Sequence, residues 1–180
     1  TASMRPIIFF VHGGSFVGGS RTDQDINETA EFFAKKGYVT ANIEYRVQQT
    51  TLISPYLDFG NANNWYRAIT RATHDLKAAI RYIKKDVATN NNFYKVDTNT
   101  IFIYGSSAGA ISVLHTVFLD DTTEMNYYFK AAYKDLGGLD GNSGNPGYSI
   151  KGGMQLFVAE RCEVFQCGRV SIPVTTAVIL

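Results

Sequence analysis

Charge of one sign is nearly missing as a surplus. Seventeen Lys and Arg stand against sixteen Asp and Glu, for a net charge of +1 over 180 residues. With no basic stripe along the chain, nucleic acid and acidic lipid are excluded as favoured partners. Long apolar runs are absent too, and nothing approaches the ~20 residues that a membrane-spanning helix needs. The N-terminal "TASMRPIIFFVHGG" lacks the cleavage signature of a leader, so the compartment, cytoplasmic or secreted, stays open. There are two cysteines, Cys162 and Cys167, five apart. That spacing is not Cys-x-x-Cys, and no second pair exists, which excludes a zinc or dithiol redox site. A local disulfide and two buried thiols both remain open. "DGNSGN" at 140–145 begins like a calcium loop, but Lys151 stands where such a loop requires Glu. The sequence therefore implies no metal and no cofactor. Histidine is scarce as well, with only His12, His74 and His115.

What is present suits one soluble domain, because a chain of this length can bury about 70% of its unfolded surface. Residues 6–11, "PIIFFV", read as a buried strand: short, continuous, apolar and closed by His-Gly-Gly. A helix is expected over 24–36, with Ile26, Ala30, Phe33 and Ala34 on one face and Gly37 as its stop. "YVTANIEY", 38–45, is a second strand, and 46–62 is irregular. Ile69, Ala72, Leu76, Ile80, Ile83 and Val87 recur at helical spacing within a helix over 63–87. That spacing leaves His74 roughly opposite the apolar face, as a solvated histidine, and Asp75 as a structural hydrogen-bonding or ion-pairing residue. "TIFIYG", 100–105, is the third strand, followed by helices over 108–119 and 124–135 and a glycine-rich loop over 137–147. "MQLFVAE" and "IPVTTAVIL" each read as a strand, in a segment, 152–180, unlike the rest. Strands alternating with helices of this length imply an α/β fold with a mainly parallel sheet and flanking helices.

Two motifs carry chemistry. Gly105-Ser106-Ser107-Ala108-Gly109 fits Gly-x-Ser-x-Gly, between a strand and a helix. A nucleophile on so tight a turn sits in strained backbone, and the flanking glycines leave room for the crossing chain. The turn also puts Ser107 at a helix N-terminus, which favours a developing anion. The second motif, "FFVHGGSFVGGS" at 9–20, follows the first strand directly. Acyl transfer needs backbone N–H groups aimed at an oxyanion, and glycines let the backbone come close. A phosphate-binding loop is excluded, since neither Gly-Lys-Ser/Thr nor Gly-x-Gly-x-x-Gly is present. Loops at the C-terminal ends of parallel strands cluster in space, so Gly13-Gly14 and Ser107 are expected to meet.

With "VHGGSF", "ANIEYR", "HDLKAAIRYI" and "IYGSSAG" in this order, residues 5–150 resemble the α/β-hydrolase superfamily. The similarity is to carboxylesterases and hormone-sensitive-lipase-like esterases with a His-Gly-Gly oxyanion loop. The resemblance implies Ser107 as nucleophile and an oxyanion hole built from the N–H groups of Gly13, Gly14 and Ala108. Ser15 stands where many relatives carry a third glycine. It further implies that the strands present are the family's third to sixth, adjacent in the sheet, so that 1–180 is one incomplete hydrolase domain, truncated at both ends. The strand at 38–45 would then have an open edge, to be covered by the C-terminal segment, by another copy of the chain in a homo-oligomer, or by a further part of the protein.

In that family the acid and the base follow the serine. Only His115 does so here, and at ~1.5 Å rise per residue it lies about 12 Å along the helix from Ser107. His12 belongs to the oxyanion loop, where its ring would brace the backbone. The expected activity is hydrolysis of small carboxylic esters through an acyl-enzyme on Ser107, impaired by the missing Asp and His. A peptidase, thioesterase or lactonase would use the same apparatus. A catalytically inactive hydrolase-like binding module is the alternative from another class.

Overall fold

The computed structural model describes residues 4–48, 62–141 and 154–158. Four parallel strands form one sheet in the order β2-β1-β3-β4: β1 Arg5–Val11, β2 Val39–Ile43, β3 Val96–Gly105 and β4 Met154–Val158. The helices are α1 Gln24–Lys35, α2 Ala62–Thr89, α3 Ala108–Phe118 and α4 Tyr127–Asp135. Among the described residues, no helix is long and apolar enough to cross a membrane.

The central strand is apolar on both faces because both are covered. Ile8 and Phe10 pack on Ile26 and Ala30 of α1. Ile7, Phe9 and Val11 face the other way, into a core shared with Ala68, Ala72, Leu76 and Ile80 of α2 and Val113 of α3. All five of these β1 side chains are fully buried, and each is worth roughly 1.5–3 kcal/mol. The right-handedness of parallel crossovers explains the two layers. The chain steps from β1 to β2 over one face by α1. It then returns past β1 to β3 over the opposite face by α2. The exits of β1 and β3 therefore diverge, β1 toward β2 and β3 toward β4. Between them lies the crevice where open parallel sheets hold ligands.

Several elements depart from the sequence expectation. β3 begins at Val96 rather than residue 100. Its pairing with β1 slips between Pro6, opposite Asp97, and Ile7, opposite Ile101. The Asp97 carboxylate holds the slip, accepting from the Asn99 N–H at 2.9 Å and the Thr100 hydroxyl at 2.8 Å. α4 starts later than residue 124. Thr122–Glu124 form a 3₁₀ turn, and Asn126 caps α4 by accepting from the Phe129 N–H at 3.0 Å. β2 stops at Ile43; just past its end Tyr45 turns inward and is buried, while Glu44 stays exposed. "IPVTTAVIL", Cys162 and Cys167, and most of the glycine-rich loop lie outside the described residues.

His74 is not solvated. It is only 5% exposed, and Lys77 and Arg81 on the same helix face are as deeply buried. α4 and residues 137–141 cover this second face of α2. His74 Nε2–H donates to the Gly138 carbonyl (2.8 Å), Lys77 Nζ to Leu139 (2.7 Å) and an Arg81 guanidinium N–H to Asp140 (2.7 Å). Three successive carbonyls thus meet three donors spaced along one helix face. The pattern was hidden because its donors are polar residues, while apolar periodicity reports only the first face. Burial lowers the His74 pKa to about 4, against the opposing pull of the Gly138 hydrogen bond.

Candidate active site

The turn from β3 into α3 carries the sharpest backbone in the crevice. Ser107 has φ 50° and ψ −115°, a conformation that costs a non-glycine residue of order 1–3 kcal/mol. It is held there from both sides. The Ser106 N–H donates to the Val11 carbonyl (3.1 Å), and the Gly109 N–H donates back to the Ser106 carbonyl (2.8 Å). A Cβ at Gly109 would stand 2.2 Å from the Val11 carbonyl oxygen and 2.6 Å from that of His12. The second glycine of the motif is therefore required by close passage of the β1 exit. Ser107 is half-buried, so its hydroxyl is reachable. No described residue hydrogen-bonds to it.

The β1 exit brings the second motif against the first. A Cβ built on Gly13 would lie 3.2 Å from Ser107 Cβ. Gly14, at φ 105°, opens a tight turn in which its carbonyl accepts from the Val17 and Gly18 N–H groups, both at 3.0 Å. Ser15 and Phe16 follow with φ of 53° and 61°. Such backbone persists because Phe16 is fully buried, edge-on to Trp65 at 5.4 Å and tilted against Tyr45 at 6.0 Å. Among the described residues, the N–H groups of Gly13, Gly14 and Ala108 meet no backbone acceptor. Ala108 opens α3, where the first-turn N–H groups lack partners inside the helix.

His12 is fully buried and braces this loop. Its Nδ1–H donates to the Gly13 carbonyl (2.7 Å), Nε2 meets Glu44 Oε1 (3.2 Å), and the ring stacks on Tyr45 at 4.2 Å. Both ring nitrogens are thereby committed away from Ser107. His74 is tied to Gly138. His115 is half-buried on α3, with its ring 5.0 Å from Phe129. Burial, then the charge of Lys77, lowers its pKa to about 4. The structure brings Ser107, Gly13, Gly14 and Ala108 together and leaves all three histidines elsewhere.

Behind the loop, Asp75 takes the structural role expected of it. Its carboxylate accepts from the Arg46 N–H (2.8 Å) and Nε (2.9 and 3.0 Å), and the Arg46 guanidinium pKa is raised, chiefly by this hydrogen bonding. An open groove of about 590 Å³ runs outside this pair, lined by Glu44, Tyr45, Arg46, Val47, Asp75 and Ala78. Ser107 does not border it.

A family model designated BD-FAE matches residues 1–137, which include both motifs and every strand except β4. The chain belongs to the BD-FAE family. Within curated proteins, the BD-FAE chain is similar to gut esterase 1 of Caenorhabditis elegans, 29% identical over 115 residues, covering 62% of this chain and 18% of that protein. Carboxylesterase 3B of Mus musculus is 29% identical over 115 residues, covering 64% and 18% respectively. The fold is similar to that of apo esterase 2 from Thermogutta terrifontis, with TM-score 0.55, 22% identity, and coverage of 87% of this chain and 45% of that one. The same esterase phosphorylated by paraoxon gives TM-score 0.51 at 20% identity, covering 87% and 46%. The chain thus has a partial α/β-hydrolase fold. It spans under a fifth of the length of these curated relatives and under half that of the solved esterase.

Proposed function

We propose that this chain carries the nucleophile and oxyanion hole of a serine hydrolase acting on small carboxylic esters. One observation carries the reading: the strained Ser107 turn lies against the Gly13-Gly14 loop, and the Gly13, Gly14 and Ala108 N–H groups meet no backbone acceptor among the described residues. Ser107 Oγ attacks the ester carbonyl, and the carbonyl oxygen gathers negative charge facing the Gly13, Gly14 and Ala108 N–H groups. The tetrahedral centre collapses with loss of the alcohol, which takes a proton. Water then hydrolyses the acyl-enzyme and regenerates the hydroxyl. The N-terminus of α3 adds its partial positive charge beside the same oxygen. The names of the relatives, gut esterase and carboxylesterase, support this substrate class.

The proton acceptor is none of the three histidines where this structure holds them. That observation favours a second reading, a binding module that kept the crevice and lost turnover. Hydrolysis of a short p-nitrophenyl ester separates the two. Binding and an oxyanion hole without the base supply of order 10³–10⁴ over the uncatalysed rate. The catalytic reading predicts hydrolysis above that level, with the excess lost in Ser107→Ala. Ester binding with no turnover above buffer supports the binding module. Equal hydrolysis in Ser107→Ala would refute the assignment of Ser107.

A further inference from the structure

Tyr45 sits just past the end of β2, and its position behind the oxyanion loop is not accidental packing. Its hydroxyl lies 3.1 Å from the His12 carbonyl oxygen and 3.0 Å from the Gly13 carbonyl oxygen, and it donates to both. Those two carbonyls belong to particular peptide groups. The His12 carbonyl shares a planar unit with the Gly13 N–H, and the Gly13 carbonyl shares one with the Gly14 N–H. In a trans peptide the C=O and N–H leave opposite edges of the same plane. A donor fixed at the carbonyl edge therefore fixes the direction of the N–H at the other edge.

We infer that Tyr45 is a positioning residue for the proposed oxyanion hole, its single hydroxyl orienting and polarising the two peptides that carry the Gly13 and Gly14 N–H groups. This deepens the proposed hydrolase reading and rests on it. Three observations support it. The ring is held in place, stacked on His12 at 4.2 Å and nearly parallel to it at 12°, and is itself almost fully buried. His12 Nδ1–H reaches the same Gly13 carbonyl from its own side, so that carbonyl receives two donors. The chain just after the tyrosine is anchored twice: Arg46 is bound to Asp75 of α2 through its N–H and its guanidinium, and the Gln48 N–H donates to the Phe16 carbonyl at 2.6 Å. Burial, then the charges of Glu44 and Asp23, raise the Tyr45 pKa, so the hydroxyl keeps its proton and remains a donor. Hydrogen bonds in series polarise one another, so a donor at each carbonyl makes the N–H beyond it a stronger donor. Two consecutive glycines leave these peptides more rotational freedom than other residues would, and without the tyrosine only His12 Nδ1–H would hold one of them. Here they are oriented before any substrate arrives, which is what an oxyanion hole requires.

Tyr45→Phe removes the hydroxyl and keeps the ring. The test compares amide ¹H–¹⁵N spectra of the full chain and this variant, alongside the rate of covalent labelling by a fluorophosphonate. The expected result is that the Gly13 and Gly14 resonances move most, with the rest of the spectrum and the melting temperature little changed. The maximal labelling rate should fall about tenfold, a fraction of what deleting an oxyanion donor outright costs, while the concentration giving half-maximal rate is unchanged. A purely structural role would instead lower the melting temperature and disperse shifts over the whole loop. Gly13 and Gly14 resonances that stay put would overturn the inference even if labelling slowed. In the unaltered chain, a correlation across the hydrogen bond from the Tyr45 hydroxyl proton to the His12 and Gly13 carbonyl carbons is expected. A hydroxyl proton in free exchange with water would contradict the inference whether or not the variant folds. Ser107→Ala keeps the two readings apart. If it labels like the parent, the hydrolase assignment fails, whereas the spectra still decide the place of Tyr45.

Discussion

Two regions of this molecule gather hydrogen-bond donors, and they differ in what the donors meet. On the second face of α2, His74, Lys77 and Arg81 point at the carbonyls of Gly138, Leu139 and Asp140, each within 2.8 Å. In the crevice, the N–H groups of Gly13, Gly14 and Ala108 have no backbone acceptor among the described residues. The first region is buried, paired and built on unstrained helix. The second is half-exposed, unpaired and built on backbone with positive φ at Gly14, Ser15, Phe16 and Ser107. Donors that the chain satisfies itself stabilise the fold. Donors held open in strained backbone are a cost that packing elsewhere must offset.

The largest effect expected is at the seam between the crevice loops. Gly109→Ala places a methyl 2.2 Å from the Val11 carbonyl oxygen, so one loop must part from the other. A loss of at least ~3 kcal/mol is expected in chemical denaturation. A variant as stable as the parent would show that the loops are not pressed together. Next is the paired region. Lys77→Met removes a buried donor and strips the Leu139 carbonyl of its partner, at a cost of about 2–3 kcal/mol. Because the Lys77 charge also lowers the His115 pKa, the same variant should raise the His115 midpoint in an NMR titration. An unmoved midpoint would separate the two residues.

A smaller effect follows from pH. The His74 pKa is lowered from 6.5 to about 4, so its neutral form belongs to the folded state. The unfolded chain binds the extra proton first. Stability is therefore full above pH 6.5 and is lost as pH falls toward 4, by about 2 kcal/mol once solvent screening is allowed for. His74→Gln should flatten that part of the melting profile; a slope unchanged by the substitution would place the acid sensitivity elsewhere. The smallest effect has the opposite sign. Ser107→Gly relieves the positive φ and should stabilise the chain by about 1 kcal/mol while removing the proposed nucleophile. If the glycine variant is less stable than the parent, Ser107 is not strained.

The contrast also explains what was legible in the sequence. The crevice was readable because glycine at fixed offsets has one steric meaning: Gly105, Gly109, Gly13 and Gly14 fall where a strand-to-helix turn and a close loop need them. The strands "PIIFFV" and "IFIYG" announced themselves by continuous apolar runs, and their parallel order followed from the helices between them. The paired region was not readable. Its partners lie some sixty residues apart and consist of backbone carbonyls, which carry no residue-type signal, so His74 looked solvated. The slip at Asp97 and the late start of α4 at Asn126 were hidden for a related reason, since short polar side chains reset backbone pairing locally. Tyr45 falls within the strand that the sequence predicts over 38–45. Its role depends on β2 ending at Ile43, and element ends are set by such local contests.

The most direct test is to treat the full chain with a fluorophosphonate, weigh the intact protein and map the adduct by peptide. A single adduct on Ser107, absent from Ser107→Ala, is the result expected of a strained nucleophile facing open N–H donors. Adducts spread over tyrosines, or retained undiminished in Ser107→Ala, would contradict it.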